Sequence, residues 1–107
     1  MKLSEVIFPN NFPSIDLHGL DRDSARVMVN DFINDNVKIG NDILVIIHGI
    51  GTGVLRKEVA NTLRRNKNVL EFKTDYFNNG ITIVKIFKNY WFIFVVFIWL
   101  FRLFLLL

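Results

Sequence analysis

Ile43 to Ile47 is a run of aliphatic, mostly β-branched residues, and it narrows the choice of folds more than any other stretch of the chain. Such a run, bounded by turn residues, suits a central strand covered on both faces. It ends in His48-Gly49-Ile50-Gly51-Thr52-Gly53, a glycine-rich turn,. Val54 to Arg65 follows, with Leu55, Val59, Thr62 and Leu63 at helical spacing,. Strand, glycine turn and helix form one unit of an α/β domain.

The flanking sequence extends that unit. Ser14 to Gly19 alternates apolar Ile15 and Leu17 with polar Asp16 and His18, the period of a half-buried strand, so Asp16 and His18 share one face,. Asp21 is a good N-cap, Asp23 adds negative charge to a first turn, and Ala25, Met28, Val29, Phe32, Ile33 and Val37 recur at helical spacing up to Gly40,. Leu70 to Thr74 and Ile81 to Phe87 alternate as two further strands, joined through Asn78-Asn79-Gly80,. The order is βαβαββ, an α/β arrangement with a four-stranded sheet. Residues 1–13, with Pro9 and Pro13 and no sustained period, read as an arm lying on the domain or loose in solvent,.

Charge and composition exclude several function classes. The 107 residues leave room for one core,. Arg102 is the single charged residue of 90–107, and without it 12 basic residues face 10 acidic ones, too even a balance for a nucleic-acid coat protein,. Any site for a polyanion is therefore local. The absence of cysteine removes disulfides, thiolate nucleophiles and zinc-cysteine sites,. The N-terminus lacks the basic start and apolar stretch of a signal peptide, so a cytoplasmic location is expected,.

In open α/β sheets ligands bind beyond the carboxyl ends of the strands. Asp16, His18 and His48 are expected to converge there. Gly49, Gly51, Thr52 and Gly53 add backbone N–H groups and the positive end of a helix dipole, which suit a phosphate. Taken alone, the glycines fit a structural turn equally well. Their spacing is not the G-x-G-x-x-G of dinucleotide sites and no P-loop lysine follows, so no nucleotide cofactor is expected,. Each histidine alone fits a backbone-bonded strand end. Yet His18 and His48, the two histidines of the chain, both stand directly before a glycine at a strand end. With Asp16 they can form a metal site, although acid-base use is the preferred reading. Arg64, Arg65 and Lys67 read as a solvated helix end offsetting its dipole.

Ile15-Asp16-Leu17-His18-Gly19, followed by His48-Gly49-Ile50-Gly51-Thr52-Gly53-Val54-Leu55-Arg56, resembles the two motifs of the Smr (small MutS-related) domain family, and Gly80 before Ile81 to Val84 resembles the family's late glycine. The resemblance covers residues 14–88. It implies a two-layer βαβαββ sandwich, with a mixed sheet and two helices on one face, similar to the C-terminal domain of translation initiation factor three. It also implies endonuclease activity on RNA or DNA, in some members linked to ribosomes. Asp16 and His18 match the family's catalytic pair, and Gly49, Gly51 and Gly53 its glycine loop, with His48 and Arg56 also on the pattern. Family members often carry additional domains that deliver substrate, and none is visible in this sequence.

On this basis Gly51, Gly53 and Arg56 are expected to hold a phosphodiester. His18, oriented by Asp16, would take the 2′-hydroxyl proton of RNA while His48 donates to the leaving oxygen. DNA would need a water or a divalent metal. The alternative is a non-catalytic nucleic-acid or ribosome-binding module on the same cradle. Residues 14–89 form the expected domain. Residues 90–107 are an apolar addition, expected to be a helix that is either a C-terminal membrane anchor or an unselected, aggregation-prone appendage,.

Overall fold

Asp21 opens the first long helix as the sequence predicts, its carboxylate accepting a 2.7 Å hydrogen bond from the Ser24 N–H,. The structure is a computed structural model that describes residues 1–6, 9–88 and 91–106. Its elements are β1 (Ser14–Asp16), α1 (Arg22–Ile39), β2 (Ile43–Ile47), α2 (Val54–Arg65), β3 (Val69–Thr74), β4 (Ile81–Ile86) and α3 (Trp91–Leu106). Two short 3-10 turns, Leu3–Glu5 and Pro9–Asn11, precede them.

The sheet order is β1-β2-β4-β3. β1 runs parallel to β2, with Asp16 beside Ile47, while β4 is antiparallel to both β2 and β3. This is the mixed four-stranded sheet expected. Leu44 and Ile46 of β2 and Val84 and Ile86 of β4 meet Ala25, Val29 and Ile33 of α1 and Val59 and Leu63 of α2 in one core. Each fully buried Val, Leu or Ile side chain there contributes about 1.5 to 3 kcal/mol.

Alternation along β2 and β4 turns Ile43 and Ile83 to the other sheet face, where Leu3 and Val6 of the arm cover them,. The arm therefore lies on the domain and completes the two-sided burial of β2. On α1, Met28 stays exposed at 38%, while Asn36 is buried. The Asn36 side chain earns that position by donating to the Phe32 carbonyl and accepting from Asn41,.

From residue 93 to residue 106 the side chains of α3 are exposed. Among the described residues no helix is long and apolar enough to cross a membrane. The expected boundary at Asn89 and the first tail residue, Tyr90, lie outside the described residues.

Candidate active site

β1 is shorter than the alternation suggests, because the chain turns at its end. Leu17 still donates to the Ile47 carbonyl, but its own carbonyl accepts from Leu20 at 3.1 Å, closing a turn over His18-Gly19 with Gly19 at φ 80°,. One oxygen of Asp16 accepts the His18 backbone N–H at 2.9 Å. Asp16 thus fixes the His18 main chain rather than gripping the imidazole. The His18 side chain is exposed at the mouth of a cleft of about 550 Å³.

The glycine loop and the first turn of α2, through Arg56, line the same cleft. Gly49, Gly51 and Gly53 take φ values of 77°, 33° and 82°, which side chains rarely adopt,. Gly53 is the N-cap of α2 and supplies no side-chain hydrogen bond, and no acidic residue stands in the first turn. Helix N–H groups therefore face the cleft without an internal anion, a setting that favours a bound one. Arg56 is exposed on the same turn. Asp21 and Arg22 at the start of α1 close the remaining side. Hydrogen bonds from Ser24 hold the Asp21 carboxyl below the usual carboxylate range.

His48 lines the same cleft but is only 4% exposed. Its Nδ1 lies 2.8 Å from the Gly49 carbonyl, which can only accept, so Nδ1 carries the proton,. Nε2 lies 2.8 Å from the Thr82 hydroxyl, which donates to it,. Burial lowers the His48 pKa, against the raising effect of the Gly49 bond and with the Arg56 charge adding to the lowering,. Burial thus disfavours the charged imidazole, and both ring nitrogens are occupied. This is not the free strand-end acid that the sequence suggests.

Of the expected site residues, His18, His48, Gly49, Gly51, Thr52, Gly53 and Arg56 line the cleft together. Asp16 reaches it only through the main chain of His18. Among the described residues no group of three or more His, Cys, Asp or Glu side chains is placed to hold a metal ion. The sequence marks Gly80 as a turn residue and as a counterpart of the family's late glycine, but shows neither its contact with Gly49 nor a site role for Thr82. The Gly80 carbonyl accepts from the backbone N–H groups of His48 and Gly49, at 2.9 and 3.0 Å. A Cβ on Gly80 would stand 3.2 Å from Gly49 Cα, so its glycine serves close approach of two chains,.

Residues 15–86 match the model of the Smr domain family. The chain is 39% identical over 77 residues to a protein named Endonuclease MutS2 from Caldanaerobacter subterraneus subsp. tengcongensis, covering 69% of this chain and 10% of that protein. A protein of the same name from Clostridioides difficile is 36% identical over 75 residues, covering 67% of this chain and again 10% of the relative. The chain thus corresponds to a small part of these curated relatives. Among solved structures, the Smr domain of Thermus thermophilus MutS2 superposes with a TM-score of 0.67 at 31% identity, over 69% of this chain and 96% of that one. YdaL, a stand-alone small MutS-related protein from Escherichia coli, gives a TM-score of 0.67 at 26% identity, over 70% and 64%.

Proposed function

The chain belongs to the Smr domain family, and we propose that it is an endonuclease that breaks phosphodiester bonds in RNA or DNA. One observation carries the reading: an exposed histidine, an uncapped helix N-terminus and an arginine line a single cleft. The names of the MutS2 relatives point the same way.

In this proposal the N–H groups at the start of α2 and the Arg56 guanidinium hold the non-bridging oxygens of the phosphate and stabilise charge that grows in the transition state. On RNA, His18 takes the proton of the 2′-hydroxyl, whose oxygen attacks phosphorus. The bond to the 5′-oxygen breaks, that oxygen takes a proton from solvent in the open cleft, and a cyclic phosphate remains. On DNA the attacking group is water, from which His18 takes a proton; the bond to the leaving sugar oxygen breaks and that oxygen takes a proton from solvent. Asp16 positions His18 through its backbone. His48 is a positioning residue that keeps Gly49 against β4, because its ring nitrogens are already engaged.

Incubating the full chain with labelled single-stranded RNA and duplex DNA, with and without magnesium, tests the proposal. Cleavage products are expected. Salt-sensitive binding with no product would instead make the domain a non-catalytic nucleic-acid module.

A further inference from the structure

The loop from Asp75 to Gly80 joins β3 to β4 and carries two aromatic rings that the domain does not bury. Tyr76 is 87% and Phe77 79% exposed, and the rings meet edge to face with centroids 5.1 Å apart. The loop beneath them is tied at both ends. Asp75 donates its N–H to Ile81, Ile81 donates to Asn78, and the Asn78 side chain accepts from the Gly80 N–H. The rings are therefore displayed on a fixed support.

That support abuts the cleft. Gly80 carries the carbonyl that accepts from His48 and Gly49, and Ile81 stands beside Ile47, so the loop leaves the sheet at the end where the glycine turn begins. β3 is two strands from β2, which puts the root of the loop on the order of 10 Å from the glycine turn,. Flat apolar faces on a loop rooted that close to a phosphate cradle suit a polymer in which phosphates alternate with flat, unpaired bases. A duplex keeps its bases stacked on each other and presents no such face.

We infer that Tyr76 and Phe77 form a stacking platform for a base adjoining the scissile phosphate, and that they direct the enzyme to single-stranded nucleic acid. The inference rests on the reading of the cleft as a phosphodiester site. Stacking holds substrate and transition state alike, so its loss raises KM and leaves kcat unchanged.

The test uses the full chain, its Tyr76→Ala/Phe77→Ala double variant and the conservative Tyr76→Phe variant. Each is titrated with a labelled single-stranded RNA, with the same strand carrying one abasic nucleotide at successive positions, and with the duplex, and cleavage is followed in the same samples. Both side chains are exposed, so the alanine variants keep the wild-type circular dichroism spectrum. The double variant is expected to bind the single strand about 5- to 100-fold more weakly, with Tyr76→Phe near wild type. At one position the abasic nucleotide weakens wild-type binding by a similar factor and leaves binding by the double variant unchanged. Equal single-strand affinity of wild type and double variant, equal abasic penalties in both, or no preference over duplex would overturn the inference. Cleavage with any of these results would leave the nuclease reading standing. Base-dependent binding without cleavage would sink that reading and keep the platform, and wild-type protein that neither binds nor cleaves would end both.

Discussion

The Nε2 atom of His48 and the hydroxyl of Thr82 lie 2.8 Å apart inside the domain, joining the start of the glycine loop to β4. With the Gly80 carbonyl accepting from His48 and Gly49, this pair sets where the glycine loop stands relative to the sheet. The loop is thus tied to β4 at its start.

Removing the Thr82 hydroxyl leaves a buried ring nitrogen without its donor. Thr82→Val is expected to destabilise the domain by about 1 to 3 kcal/mol in urea unfolding, with Thr82→Ser close to wild type. A Thr82→Val protein as stable as wild type would show that the pair contributes nothing.

His48 also makes stability depend on pH. Its pKa is lowered in the folded state, so the unfolded chain binds the proton first as pH falls below the ordinary histidine value of about 6.5,. The stabilisation is complete above that value and is lost as pH falls through the lower folded-state value. Thermal melting followed from about pH 8 to about pH 5.5 should show a falling Tm, and His48→Gln should flatten that slope. Parallel slopes in the two proteins would remove His48 as the cause.

At Gly80 the constraint is space. An added Cβ would come within 3.1 Å of Asn78 Oδ1 and 3.2 Å of the Gly49 backbone, which cannot swing aside like a side chain. Gly80→Ala is therefore expected to cost about 1 to 3 kcal/mol in denaturant unfolding and to slow cleavage by shifting the glycine loop. Unchanged stability and rate would mean that the two chains have room to part.

Removing residues 90–107 is expected to leave a folded domain, because the core side chains come from the arm, α1, α2 and the sheet, and those from 93 to 106 of α3 are exposed. Circular dichroism and a cooperative melt check this. An unfolded product would make the apolar segment part of the core.

Much of this architecture was legible because local signals and tertiary burial agree. β2 and α2 begin and end where the sequence places them, since a β-branched run, a glycine turn and an apolar stripe all point to one arrangement,. Asp21 capped α1 for the same reason. Other features depend on partners remote in sequence. Leu3 and Val6 have no period that marks them as a cover for Ile43 and Ile83. Nothing beside His48 announces that Thr82 on β4 will occupy its ring and turn it inward. The Asn78-Asn79-Gly80 signal located a turn, but only the fold reveals that Gly80 faces Gly49 and that Tyr76 and Phe77 of the same loop are left exposed. Asp16 and His18 were recognised as a pair, while the bond from the His18 main chain to the Asp16 carboxylate requires the turn itself.

The rate of single-stranded RNA cleavage by His18→Ala, set beside that of wild type, decides whether this cleft is catalytic. His18 is exposed, so the variant should keep the wild-type fold and melting temperature while its rate falls about 10²- to 10⁴-fold, the loss typical of a general base,. A folded His18→Ala protein that cleaves as fast as wild type would contradict the assignment of the chemistry to this site.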